Sequence, residues 1–112
     1  MELFFAEQTL QNIAESAVRC DAHFGARDGP LVRQRLCELM AAGNLAIAKA
    51  VPTLDVTPLA SQTGGFVLRL RPRLRLIFEI ADRTPHVDGN DEVDLAKVET
   101  VRILAIEEYD EP

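Results

Sequence analysis

The sequence predicts an α+β domain: a two-helix hairpin packed on one face of a small, largely antiparallel sheet of three to four strands. Three observations predict it. Apolar residues in the first half recur at helical spacing, whereas residues 66–80 alternate strictly. The helices also precede most of the strands, in the order β-α-α-β-β-β, which separates helix and sheet into layers. A chain of 112 residues is below the size at which one core divides, so residues 1–112 are expected to form a single domain.

Residues 2–5, ELFF, read as an opening strand. Leu10, Ile13, Ala14, Ala17, Val18 and Phe24 then keep helical spacing, with Thr9 as a candidate cap and Gly25 as a stop. A second helix fits residues 29–42. Asp28 can cap it, and Pro30 is tolerated in a first turn, where its missing N–H has no partner to lose. Leu31, Val32, Leu36, Leu39 and Met40 form its apolar stripe, and Gly43-Asn44 ends it. The short intervening loop folds the two helices antiparallel. Residues 44–64 carry Pro52, Pro58 and Gly64, and read as a connector anchored by Leu45, Ile47, Leu54 and Leu59.

From Phe66 the period changes to two. Phe66, Leu68, Leu70, Leu74, Leu76, Phe78 and Ile80 share one parity; Val67, Arg69, Arg71, Arg73, Arg75, Ile77 and Glu79 share the other. Pro72 cannot donate to a central ladder. The run is therefore a hairpin, with strands 66–70 and 74–81 joined by a tight Arg71-Pro72-Arg73 turn. A polar loop follows over 82–97, then a closing strand over 98–106 and an acidic tail, EEYDEP.

Several classes of protein are excluded or disfavoured. The most apolar stretch, LAIAKAVPTL, is broken by Lys49 and Pro52, too short for a membrane span. The first residues are acidic at Glu2 and Glu7 and lack a basic start, so a cytoplasmic location is expected rather than secretion. Cys20 and Cys37 read as reduced, mostly buried thiols, not as a disulfide framework or a zinc site. His23 and His86 have no partner at metal-ligand spacing. Gly64-Gly65 is a turn rather than a phosphate loop, and no nucleophile triad is visible. No cofactor and no metal are expected.

Net charge is -6, which argues against nucleic-acid binding if taken whole. Its distribution says otherwise. Residues 1–81 hold 9 basic and 8 acidic side chains; residues 82–112 hold 3 basic and 10 acidic ones. Arg69, Arg71, Arg73 and Arg75 fall at every second position. With the Leu/Phe parity turned to the helices, they sit opposite it. Guanidiniums in that arrangement suit a phosphate backbone, because the planar fork binds two oxygens at once. The other reading is a solvated sheet face, neutralised by the chain's own acids such as Glu79, Glu107 and Glu108. The pattern leaves both open.

The run TPLASQTGGFVLRLRPRLRLIFEIAD resembles the central segment of the RelE/ParE toxin superfamily, where a "pL.g...g.f.l.l...yRliFe" pattern marks a hairpin. It is most similar to the HigB-like plasmid-maintenance killer branch, sometimes labelled killer suppression proteins. ELMAAGNLAIAKAVP is similar to that branch's second helix and connector, and DGNDEVDLAKVETVRILAIEEYD to its closing strand and C-terminal signature. The likeness spans nearly the whole chain. It implies a RelE-like fold and a toxin of a type II toxin–antitoxin pair that cuts mRNA on the ribosome. The implied partners are mRNA, the ribosome and a cognate antitoxin, usually a helix-turn-helix protein.

By position, Arg75 matches the arginine that would hold the scissile phosphate, and Tyr109 and Asp110 match the C-terminal signature. Asp110 stands where many relatives have histidine. The implied reaction is attack of an RNA 2′-hydroxyl on the neighbouring phosphate. Arg75, with Arg69 or Arg73, would stabilise the phosphorane; Tyr109 would stack on a base or assist proton transfer. Glu108 or Asp110 would serve as the acid or base only with a raised pKa. The competing expectations are a toxin-like interaction module that binds an antitoxin without cleaving, and a ParE-like gyrase poison.

Overall fold

The computed structural model describes residues 1–81 and 93–111. Strand β1 (Glu2–Phe5) leads into helices α1 (Gln8–Ala14) and α2 (Ala17–Ala41), then the short helix α3 (Leu45–Ala50). Strands β2 (Val56–Pro58), β3 (Gly65–Arg71), β4 (Leu74–Ile80) and β5 (Thr100–Glu108) follow. The sheet has five strands in the order β1-β5-β4-β3-β2. β1 runs parallel to β5, and the other neighbours are antiparallel. This is the expected α+β layering, but the sheet has five strands rather than three to four, because the connector supplies β2 as an extra edge strand.

The helical hairpin is real, and its elbow is Gly25. That residue has φ 97° and ψ 163°, a non-helical conformation inside α2 that glycine adopts without a Cβ clash. It divides α2 into arms 17–24 and 26–41 that lie against each other. The arms touch where Gly29 backs onto Asp21, so close that a Cβ on Gly29 would stand 2.6 Å from the Asp21 Cα. Asp21 also receives both hydrogen bonds from Arg33 Nη2, at 3.0 and 3.2 Å. The Cys20 thiol lies 3.5 Å from the Gly29 carbonyl.

The first predicted helix is broken earlier than its apolar spacing indicates. α1 stops at Ala14, and Ser16 starts α2 by accepting the Arg19 N–H at 3.2 Å. Val18, counted in the apolar stripe, is 81% exposed. Thr9 is not a cap; Glu7 holds that position with no side-chain hydrogen bond. Asp28 lies inside α2 rather than capping a helix.

The connector 44–64 is more ordered than its prolines indicate. α2 ends at Ala41 with Ala42 as its C-cap, and Asn44 caps the next helix, accepting the Ile47 N–H at 2.9 Å. Pro52–Leu54 form a 3-10 turn, and β2 adds an edge strand paired with β3 through Val56↔Leu68. A proline at the end of an edge strand costs no ladder bond.

The strict alternation of residues 66–80 is visible in the burial. Phe66, Leu68, Leu70, Leu74, Leu76 and Phe78 are buried under the helices, and Phe66 stacks on Phe78 with centroids 5.7 Å apart. Val32, Leu36 and Leu39 of α2 meet them in one core, together with Leu45, Leu54, Val101 and Ile103. β5 starts and ends two residues later than expected, and its parity slips. Ile77 pairs with Ala105 but Phe78 pairs with Ile103, so Leu104 is an extra residue. That bulge lets Ile103 and Ile106 reach the same face three positions apart.

Cys20 is buried, and burial pushes its thiol pKa up; Cys37 is exposed, contrary to the expectation. His86 and most of the 82–97 loop lie outside the described residues. Among the described residues, no helix is long and apolar enough to cross a membrane.

Candidate functional site

The β3–β4 hairpin does not carry its arginines as a single ladder. Arg69 and Arg75 are cross-strand partners on the uncovered sheet face. Between Arg69 and Arg71 the register slips, so Arg71 pairs with Leu74 and leaves the alternation. Arg71 reaches the helical layer instead. Its Nε and Nη2 grip the Asp28 carboxylate at 2.9 and 2.8 Å, and Nη1 donates to the Pro72 carbonyl at 2.6 Å. Arg73 sits in the turn with φ 68° and forms no ion pair among the described residues.

The remaining two arginines are also held. Arg75 donates to Glu107 Oε1 from Nη2 at 3.1 Å and from Nε at 3.3 Å. Glu107 is its strand partner on β5, so the sheet register itself brings the pair together. Arg69 forms a two-pronged bond with Glu111, Nε to Oε1 at 2.7 Å and Nη2 to Oε2 at 3.1 Å. Of the two readings that the pattern left open, neutralisation by the chain's own acids describes three of the four: Arg69, Arg71 and Arg75 are paired with carboxylates, Glu107 among them, and they face two directions.

The C-terminal residues make this possible. Beyond β5, the Tyr109 N–H donates to the Arg73 carbonyl at 3.0 Å, which prolongs the β4–β5 pairing past the turn. The Tyr109 ring then lies under Arg75, whose Cζ is 4.6 Å from the ring centroid, a cation–π contact. The Tyr109 hydroxyl donates to Glu111 Oε1. A continuous chain of contacts thus runs from Arg75 through Tyr109 and Glu111 to Arg69.

The charges are tuned accordingly. The Arg69 hydrogen bonds, then the Tyr109 hydroxyl, hold the Glu111 carboxyl down at about 2. The same carboxylate pushes the Tyr109 phenol and the Arg69 guanidinium upward. Across the hairpin, Arg71 holds Asp28 below its ordinary value, and Asp28 raises Arg71.

The structure thus brings Arg69, Arg75 and Tyr109 together and places Arg73 beside them. Arg71 belongs to the helix–sheet junction. Asp110 is exposed, with no hydrogen bond or ion pair among the described residues. Glu111 and Asp28 are the partners that pattern reading missed. The signal available for Glu111 was an acidic tail following a strand that pairs with the arginine-bearing one. His23 lines two shallow concavities along β5, one with Glu107 and Glu108 and one with Leu10 and Leu104. Among the described residues, no group of three or more His, Cys, Asp or Glu could hold a metal ion.

No family model and no curated protein matches this sequence. Among solved structures, the chain is similar to a YoeB/ParE toxin from Agrobacterium tumefaciens. The TM-score is 0.50 over 98% of this chain and 100% of that one, at 14% identity. The chain has a RelE/ParE-like fold. At that identity the likeness is one of fold alone.

Proposed function

We propose that the chain is the toxin of a toxin–antitoxin pair and acts as a ribosome-dependent mRNA endoribonuclease of the HigB-like branch, neutralised by a helix-turn-helix antitoxin. The observation that carries the reading is the Arg69–Arg75 pair with the Tyr109 ring stacked on it, on the sheet face that the helices leave open in this fold. A flat aromatic beside two guanidiniums offers what a splayed nucleotide needs, a stacking surface and a phosphate seat.

In this reading, RNA phosphate oxygens take the place of Glu107 on Arg75. The 2′-hydroxyl attacks the adjacent phosphorus, and its proton passes to a base. The guanidinium stabilises charge on the phosphorane, and the leaving 5′-oxygen collects a proton. Tyr109 positions the base. Asp110 and Glu108 are the acidic side chains nearest in sequence to take part in the proton transfers.

A second reading has its own support. The pairing of Arg69, Arg71 and Arg75 with carboxylates, and Asp110 in place of a histidine, favour a module that binds an antitoxin without cutting RNA. Inducible expression with mapping of mRNA 5′ ends separates the two. The endoribonuclease stops growth and leaves new 5′ ends, and Arg75→Ala lowers cleavage by about 10²–10³-fold and restores growth. Wild type and Arg75→Ala equally harmless, with intact mRNA, refutes the nuclease. Growth arrest with intact mRNA and an SOS response points to gyrase poisoning instead.

A further inference from the structure

The residue clasping Arg69 is neither a strand partner nor a core anchor. It lies in the segment after β5, held against the hairpin turn by the Tyr109 N–H bond to the Arg73 carbonyl and by the Arg75–Tyr109 contact, and the Arg73 backbone N–H also reaches its carboxylate. Its contact geometry is that of a bound oxyanion. Two oxygens of Glu111 face Nε and Nη2 of Arg69 in a fork, and Tyr109 Oη places a third donor on Oε1. A phosphate presents two oxygens to a guanidinium fork in the same way. Arg73, with no ion pair among the described residues, stands next to the seat and can add a further positive charge. The Arg69 side chain is 42% exposed even with Glu111 in place, so solvent reaches the seat.

We propose that Arg69 and Tyr109 form an oxyanion seat for a phosphate group, and that Glu111 is its internal occupant, competing with phosphate and damping the binding of nucleic acid. The proposal rests on the reading of this face as the phosphate-binding surface. Occupant and ligand exclude each other because both need the same two N–H groups. Tethering places the carboxylate at high effective concentration, but its grip is that of an exposed ion pair. Competition is therefore partial: the seat opens readily to a ligand that brings more charge.

The chain has one tyrosine and no tryptophan, so its intrinsic fluorescence reports Tyr109 alone. Inorganic phosphate and a 5′-phosphorylated single-stranded RNA tetranucleotide are titrated into wild type, Glu111→Gln, Arg69→Gln and Glu2→Gln. Glu2→Gln removes the same charge on β1 and controls for net charge. Phosphate changes the fluorescence, half-saturation falls roughly two- to five-fold in Glu111→Gln only, and the response is lost in Arg69→Gln. Equal half-saturation in wild type and Glu111→Gln overturns the competition. No phosphate response in any variant overturns the seat, even if RNA is cut. A phosphate response that follows the expected pattern, while expression of the protein leaves mRNA intact, upholds the seat and removes the nuclease reading instead.

Discussion

Replacing Gly29 with alanine tests the helical elbow, because two effects of opposite sign meet there. Gly29 lies inside α2, where alanine is favoured over glycine by about 1 kcal/mol in an isolated helix. Against that, the new Cβ would stand 2.6 Å from the Asp21 Cα and closer still to its carboxylate. Ordinary carbon–carbon contact needs roughly 3.5–4.0 Å, so the two arms of α2 must part by about 1 Å. The obstacle is backbone and cannot rotate away. Overpacking of this kind costs about 1–3 kcal/mol, and parting the arms also strains the Arg33–Asp21 bonds and the Cys20–Gly29 contact. The net effect is a loss of about 1–2 kcal/mol, or a fall in Tm of roughly 4–10 °C for a domain of this size. Thermal unfolding followed by far-ultraviolet circular dichroism reads it. Gly43→Ala is the control, because its Cβ would meet only Ile47 Cδ1, at 3.7 Å. A Gly29→Ala protein as stable as wild type, or more so, would refute the close packing of the arms.

Other outcomes follow from the core and the tail. Phe78 is fully buried and stacked on Phe66; Phe78→Ala leaves a cavity beneath α2 and costs about 3–5 kcal/mol by urea unfolding. Glu111 has a folded-state pKa of about 2 against an ordinary 4.5. Its contribution to stability is complete above pH 4.5 and is lost as pH falls through about 2. The Tm difference between wild type and Glu111→Gln therefore shrinks steadily between pH 5 and pH 2; a constant difference would show that the tail is not paired. Asp28, held low by Arg71, titrates in the same direction, so Asp28→Asn flattens part of the remaining acid-side loss.

The parts of the fold that were legible in the sequence are those where one physical rule acts alone. The hairpin 66–80 is half buried along its length, so period two survives intact in its burial. Gly25 and Asn44 are chemical punctuation, and both sit at real breaks. Legibility failed where tertiary structure overrides the local pattern. Helical spacing runs straight through Ser16, yet the chain turns there and Val18 is left in solvent. The bulge at Leu104 reverses the parity of β5, which no periodicity count can foresee. The candidate site shows the same split. The positions of Arg69 and Arg75 follow from alternation, but their partners do not. Asp28 reads as a helix cap from its neighbours, and becomes the partner of Arg71, 43 residues away, only because the elbow packs against the hairpin turn. Glu111 lies 42 residues from Arg69.

The arrangement of the sheet sets a constraint on biosynthesis. β5 is inserted between β1 and β4, and Glu2 at the start of the chain pairs with Thr100 near its end. While the ribosome is still translating, Leu3, Phe4 and Phe5 form an apolar strand with no neighbour to pair with, and β4 has an open edge beside them. Such edges invite pairing with other chains, and long-range closure is slow to reward its entropy cost. The strand that joins β1 to β4 comes after both of them in the chain, so the sheet stays open, and its arginine face unassembled, until β5 has been made.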